Sequence, residues 1–141
     1  MIKEFQNEFS WLSNFFPCKI VLKNLEYPSV EHAYHSEKSS DVFWKKLCGS
    51  NILPGQLKRK SQSIKLNIKE WDERRLKLME TLLELKFNQE PFKTLLLNTK
   101  DEHIQEGNLW NDTFWGIDLR TGKGENNLGK LIIKVRDKLN N

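Results

Sequence analysis

A carboxylate and an amine stand seven residues apart near the start of the chain, at Glu31 and Lys38. Seven residues are almost two turns of a helix, so both side chains would share one face, with Cα atoms roughly 10 Å apart. Tyr34 and His35 fall on the same stripe. An amine with a carboxylate is the minimum set of groups for covalent chemistry at the anomeric carbon of a sugar. The pair therefore predicts a site in which a small polar molecule lies between Glu31 and Lys38.

A solvated helix face would show the same spacing. A glutamate in the first turn and a lysine near the end of a helix both suit the helix dipole, and Glu31 could simply pair with His35 one turn later. Most surface ion pairs have no further role. Spacing alone favours this simpler interpretation, so the case for chemistry depends on the rest of the sequence.

The composition is that of a globular protein with a generous supply of aromatic residues. The chain has 141 residues, of which 30% are charged and 38% apolar, enough for one domain with a core. Eight Phe, five Trp and two Tyr suit a core or a stacking pocket. The two cysteines and three histidines lack metal-site or disulfide spacing, and no apolar run is long enough for a membrane. We expect a cytoplasmic protein that uses no metal and no cofactor and does not contact a membrane.

Positive charge is concentrated in one segment. The formal net charge is +4, and residues 58–77 hold eight basic side chains against three acidic ones. Such a patch attracts anions, either the phosphates of a nucleotide or a nucleic acid. An ordinary solvated surface is the competing interpretation.

Local signals predict most of the elements in the first half. Residues 18–27 are predicted to form a β-hairpin with its turn at Lys23 and Asn24, because Asn tolerates the left-handed conformation. Ser29 is a good N-cap for the helix that carries Glu31. Two short helices should follow: one over 42–47, capped by Asp41 and ended by Gly49, and one after Pro54.

The second half is dominated by helices. Asn67 and Glu70 resemble a capping box that begins a long helix over 68–87. Its predicted core-facing stripe consists of Trp71, Leu78, Met79, Leu82 and Leu85. A helix from Pro91 to Leu97, a strand over 102–106, a long loop over 107–126 and a C-terminal amphipathic helix over 128–139 complete the chain. The fold class is therefore α+β, predominantly α-helical, with a few short strands.

The loop over 107–126 carries residues suited to a ligand. Loops of this length without structure of their own are usually functional or disordered, and its aromatic residues argue against disorder. The residues of interest are Asp112, Trp115, Gly116, Gly122, Lys123, Gly124 and Asn126. Aromatic faces would hold a base, while glycines, a lysine and a helix N-terminus would hold phosphate.

These motifs together resemble the NADAR (YbiA-like) superfamily over nearly the whole length, as one domain over residues 1–141. The matching elements occur in the family's order: Leu12 to Phe15; Ser29 to Tyr34 with Lys38; Trp71 with Met79, Leu82, Lys86 and Phe87; Asn111 to Gly116; and Gly122 to Gly129 with Arg136. Several motifs in the right order make the resemblance specific.

The resemblance implies cleavage of an N-glycosidic bond. The implied substrates are ribosylamino-pyrimidine phosphates of riboflavin metabolism or ADP-ribosylated guanine, so modified nucleic acid is an open alternative as a partner. It implies Lys38 as the residue that forms an imine with the sugar. Glu31 would then shuttle protons, with Asp112 as the alternative acid or base. Asn14 and Asn126 would position the ribose, while Tyr34, Trp71 and Trp115 would line the pocket.

Three departures from the family pattern leave the identity of the substrate less defined than the type of bond that is cleaved. Lys60 and Ser61 stand where the family often has Gly-Arg, so the arginine's role passes to Arg59 or Lys58, or is lost. Ser39 replaces an aromatic residue after the lysine, and Ile117 with Asp118 replaces a glycine-rich pair. A non-catalytic module that binds ADP-ribose or a nucleotide, and a basic nucleic-acid-binding domain, remain as alternatives to an enzyme. Retention of both Glu31 and Lys38 favours catalysis.

Overall fold

The computed structural model describes all 141 residues and shows an α+β fold with 48% helix and 12% strand. Helix is the dominant element, as predicted. The chain divides into two compact units, of which one comprises Asn14–Lys86 and the other combines Met1–Ser13 with Phe87–Asn141. No helix is both long enough and apolar enough to cross a membrane.

The unit Asn14–Lys86 begins with a hairpin of strands β2 (Ile20–Leu22) and β3 (Leu25–Tyr27), paired antiparallel. Lys23 and Asn24 both have positive φ angles, 50° and 68°, which is the turn geometry that matches strand twist in a two-residue hairpin. The predicted hairpin and its turn are confirmed. Four helices follow: α1 (Val30–Ser36), α2 (Val42–Cys48), α3 (Pro54–Ser61) and α4 (Ile68–Phe87).

The helices of this unit begin where their capping residues predict. The Asp41 carboxylate accepts from the backbone N–H groups of Phe43 and Trp44 at the start of α2. The Asn67 side chain accepts from the backbone of Glu70 at 3.1 Å at the start of α4. Most of the predicted α4 stripe is buried, but Leu85 is only half-buried and Leu83 is fully buried in its place.

The other unit is built on a small parallel sheet. Strand β4 (Ile104–Asn108) lies between β1 (Ile2–Glu4) and β5 (Ile117–Asp118), in the order β1-β4-β5. Helix α6 (Asn127–Leu139) packs on β4 and α5 (Phe92–Leu97), while a 3₁₀ segment covers Asn7–Leu12. The core of this unit contains Ile2, Leu12, Leu96, Ile104, Ile132 and Val135.

Three features of this unit differ from the sequence-based expectations. Strand β1 and the 3₁₀ segment were not predicted, because each is short and β1 gains its partners from β4, about 100 residues later. The predicted strand over 102–106 is displaced by two residues, to Ile104–Asn108. The segment 107–126 is not loop throughout, since β4 extends to Asn108 and β5 lies within it.

Candidate functional site

Helix α1 is buried along its whole length although most of its side chains are polar. The Ser29 hydroxyl accepts from the backbone N–H of His32 at 3.1 Å and so caps the helix. The seven residues from Val30 to Ser36 are all buried, because α1 contacts α2, α3 and the hairpin. Glu31 is only 7% exposed. A solvated helix face, the simpler interpretation of this stretch, is therefore excluded.

Lys38 lies just beyond the helix and not within it. The backbone N–H groups of Glu37 and Lys38 donate to the carbonyls of Tyr34 and His35, at 3.3 and 3.1 Å. These bonds span three residues and tighten the last turn, so α1 ends at Ser36 and the helix expected through Lys38 is shorter than predicted. The turn leaves the Lys38 side chain half-buried.

The Lys38 amine is flanked by two aromatic rings. Its Nζ atom is 5.7 Å from the ring centroid of Tyr34 and 5.7 Å from that of Trp71. The two rings are 5.2 Å apart and inclined by 60°. Nζ also donates to the Ser61 hydroxyl of α3 at 3.4 Å. Trp71 of α4 thus lies beside Tyr34 and Lys38, which the sequence predicted to share one stripe.

The surroundings of Lys38 favour the neutral amine. Burial is the largest cause of a lowered pKa for Lys38, because the charged form loses hydration. The Glu31 carboxylate opposes this by favouring the ammonium form, whereas the positive charges of Lys58 and Arg75 lower the pKa further. Lys38 therefore loses its proton more readily than an exposed lysine, which an amine nucleophile requires.

Glu31 is held from both sides. Its carboxylate accepts from His35 Nε2 at 2.9 Å when that nitrogen carries the proton, and its backbone N–H donates to the Asn14 carbonyl at 3.0 Å. Each of these two partners of Glu31 carries a buried side-chain atom without a hydrogen-bond partner, His35 Nδ1 and the side-chain oxygen of Asn14. Unsatisfied buried polar atoms are rare, so both atoms are candidates for contact with a polar ligand.

In the other unit, Asp112 shapes a turn. Its side-chain oxygen accepts from the backbone N–H groups of Phe114 and Trp115, at 3.2 and 2.9 Å. The Asn108 side chain bonds both the N–H and the carbonyl of Asp112 at 3.0 Å. The carboxylate therefore has a local structural role, and an acid or base role for Asp112 stays a prediction.

Gly116 and Asn126 tie this turn to strand β4. A Cβ atom at Gly116 would overlap the carbonyl of Glu106, so the position excludes any side chain. Asn126 adopts the left-handed conformation with φ of 54°, and its amide accepts from the Glu106 N–H and donates to the Ile104 carbonyl. Both ends of that amide are occupied within the fold, so its proposed contact with ribose stays a prediction.

The start of α6 offers less to a phosphate than the sequence suggests. The backbone N–H groups of Asn127 and Leu128 already donate to the carbonyls of Phe114 and Trp115, at 3.2 and 2.9 Å. Gly122 has a positive φ of 74° with open space around it, and the Lys123 side chain is exposed. Of the residues predicted to hold phosphate, Lys123 therefore keeps an exposed cation for an anion.

The expected site residues fall into both units. Asn14, Glu31, Tyr34, Lys38 and Trp71 belong to Asn14–Lys86, whereas Asp112, Trp115, Gly116, Gly122, Lys123, Gly124 and Asn126 belong to the other unit. Sequence reasoning did not assign roles around Lys38 to Ser61 and Arg75. In the sequence, both residues stand out only as part of the basic segment 58–77. That segment does not show which of its residues lie near Lys38 and which lie in solvent.

The fold is of the YbiA type. The NMR structure of the Escherichia coli protein YbiA is similar with a TM-score of 0.83, covering 99% of this chain and 87% of that one at 26% identity. The NADAR domain model matches residues 2–140, so the chain belongs to the NADAR family.

Sequence relatives carry enzyme names. The chain is 28% identical over 138 residues to N-glycosidase YbiA of Escherichia coli, covering 94% of this chain and 83% of the relative. An N-glycosidase of Nostoc punctiforme is also 28% identical, with 94% and 87% covered. A riboflavin biosynthesis protein of Vibrio vulnificus is 30% identical over 131 residues, but this chain spans only 35% of its length.

Proposed function

We propose that this protein is an N-glycosidase that cleaves the bond between a nitrogenous base and ribose, phosphoribose or ADP-ribose. The observation that carries the proposal is the Lys38 amine, half-buried between Tyr34 and Trp71, with a lowered pKa and within electrostatic range of the buried Glu31. The N-glycosidase names of relatives that align over 94% of the chain support the same class of reaction.

Lys38 acts as the nucleophile in this proposal. The neutral Nζ attacks C1 of the ribose, and the bond from C1 to the base nitrogen breaks. The sugar ring then opens, so that Nζ and C1 form an imine. Water adds to the imine, and the released sugar leaves the free amine behind.

Glu31 moves the protons that these steps require. The Glu31 carboxylate first takes the proton that leaves the Lys38 ammonium and passes it to the departing base nitrogen. It then accepts the second proton, which Nζ loses on forming its bond to C1, and delivers it to the ring oxygen as the sugar opens. The contact with His35 Nε2 fixes the position of the carboxyl group. The Nδ2 atom of the Asn14 side chain donates to Met79 Sδ at 3.6 Å, and its unpartnered oxygen would accept from a ribose hydroxyl.

The substrate is expected to be anionic. Lys58 and Arg75 both act electrostatically on Lys38, so a substrate at this amine meets positive potential. The riboflavin biosynthesis relative supports a ribosylamino-pyrimidine phosphate, whereas the basic segment 58–77 also suits ADP-ribosylated guanine in nucleic acid. Phosphate contacts by Lys123, Gly122 and Gly124, and base contacts by Trp115 and Gly116, stay predictions from the sequence.

Imine trapping tests the proposal directly. The protein is incubated with a ribosylamino-pyrimidine phosphate or with an ADP-ribosylated guanine oligonucleotide, base release is followed, and borohydride is added. The wild type should release base and give a reduced adduct that mass spectrometry locates on Lys38. Lys38→Ala should give neither, whereas the matched control Lys46→Ala, at an exposed lysine of α2, should give both. Binding of ADP-ribose without base release from either substrate would favour a non-catalytic module.

A further inference from the structure

One carboxylate next to Lys38 gathers three positive side chains from three different elements. Glu37 accepts from Lys23 at the hairpin turn at 2.8 Å and from Arg74 of α4 at 2.9 Å, and lies 3.5 Å from the Lys45 ammonium of α2. Its side chain is only 5% exposed. A carboxylate this buried is stable only because it is paired, and it holds all three elements to the end of α1.

The same cations bind the backbone that leads into Lys38. Lys45 donates to the Ser36 carbonyl at 2.9 Å, and Arg74 reaches the Glu37 carbonyl at 3.5 Å. These carbonyls at the end of α1 have no partner within the helix. The chain is therefore fixed at the residue immediately before the proposed nucleophile.

Arg74 links this cluster to the aromatic rings around the amine. Its guanidinium carbon is 5.5 Å from the Trp71 ring centroid, while the Lys38 amine is 5.7 Å from the same centroid. A guanidinium that is bonded to Glu37 and also lies over Trp71 restrains that ring. Any loosening of Trp71 would admit water to Lys38.

We propose that Glu37 is a positioning residue for the reaction of Lys38: it holds Arg74 against Trp71 and fixes the end of α1, and thereby keeps the amine between the two rings. The inference rests on the proposed function. Glu37 does not touch the reacting atoms, and its influence passes through Arg74, Trp71 and the backbone of residue 38.

The pKa of Lys38 distinguishes a positioning role of Glu37 from a direct effect of its negative charge. Removal of a nearby negative charge would by itself make the amine easier to deprotonate. Loss of positioning has the opposite sign, because a better-hydrated amine retains its proton more strongly. Glu37→Gln should therefore raise the pKa of Lys38, as followed by the ¹³Cε chemical shift of that lysine in a pH titration by NMR.

Kinetics and a matched control complete the test. Glu37→Gln should lower kcat about tenfold or more with KM changed less than about threefold, because the geometry of the amine is lost and substrate contacts are kept. Arg74→Met should reproduce the loss of kcat. The double variant Glu37→Gln with Arg74→Met should be no slower than the slower of the two single variants. Glu26→Gln, which breaks the exposed pair between Glu26 and Lys19, should behave as wild type.

Specific results would overturn the inference. A wild-type kcat in folded Glu37→Gln, a lowered Lys38 pKa, or independent losses that add in the double variant would each refute it. If Glu37→Gln does not fold, Arg74→Lys, which keeps the positive charge but loses the planar guanidinium over Trp71, must lower kcat and raise the Lys38 pKa. If wild type cleaves no ribosylated base, the proposed function fails, but the Lys38 titration in Glu37→Gln still decides the role of Glu37.

Discussion

Lys86 allows a sharp test of the energetics, because it is a lysine with 0% exposure near the end of α4. Burial lowers its pKa from the ordinary value of 10.5 to about 7, although the nearby Cys18 thiol opposes the shift. The informative perturbation is Lys86→Met, which keeps an unbranched side chain of similar volume and removes the titrating group.

The size of the effect follows from linkage between folding and protonation. Below pH 7 the lysine carries its proton in both the folded and the unfolded chain. Above pH 7 and up to 10.5 the unfolded chain binds a proton that the folded protein has released, so the contribution of Lys86 to stability grows as the pH rises. Each pH unit in this window contributes about 1.4 kcal/mol. Between pH 6 and 9.5 the wild type should therefore gain roughly 3 kcal/mol relative to Lys86→Met.

Urea denaturation measures this difference. The free energy of unfolding is determined for both proteins at intervals between pH 6 and 9.5, and the difference removes the contribution of every other titrating group. Lys77→Met, at a lysine of the same helix whose side chain is 76% exposed, controls for the loss of one positive charge. A difference between wild type and Lys86→Met that stays constant across this range would show that Lys86 is protonated in the fold and would refute the reasoning.

Three further predictions concern the candidate site. The pH profile of kcat/KM should rise as Lys38 loses its proton, below pH 10.5. Lys58→Met should move this rise to higher pH, since one charge that lowers the Lys38 pKa is gone; an unmoved profile would contradict this. Gly116→Ala should lower the free energy of unfolding in urea by about 1–3 kcal/mol, because its Cβ overlaps Glu106, whereas Gly55→Ala, with open space, should not destabilise. Asp112→Asn keeps the oxygen that caps the turn and should retain kcat within about threefold. Asp112→Ala should lower the free energy of unfolding by about 1–2 kcal/mol, because the turn loses that oxygen. A large loss of kcat in Asp112→Asn would assign Asp112 to proton transfer.

Elements with local determinants could be predicted from the sequence. The hairpin turn at Lys23 and Asn24, the cap of α1 at Ser29 and the cap of α4 at Asn67 are each specified by residues within a few positions. Strands β1 and β5 were missed for the opposite reason. They have three and two residues, and they exist because β4 lies between them. A sequence pattern of that length carries no periodicity.

The same division applies to the candidate site. The types and spacing of Glu31, Tyr34 and Lys38 could be recognised because one helix and its last turn carry them. Their environment could not, since Ser61 lies 23 residues from Lys38 and Arg74 lies 37 residues from Glu37 along the chain. The sequence also could not show that the backbone N–H groups at the start of α6 are already hydrogen-bonded. Their acceptors are backbone carbonyls of a loop, which have no side-chain signature.

The protonation of Lys38 reflects a conflict between stability and the proposed reaction. The Glu31 carboxylate favours the ammonium form, and an ammonium cannot attack a sugar carbon. Burial and the charges of Lys58 and Arg75 act against Glu31, but positive groups placed near a half-buried lysine repel one another and weaken the fold. Such an arrangement has no structural advantage, because a neutral side chain at position 58 would remove the repulsion. The arrangement is explained if the reaction needs a neutral Lys38 amine next to the carboxyl group of Glu31. A simple ion pair would hold Lys38 as the ammonium.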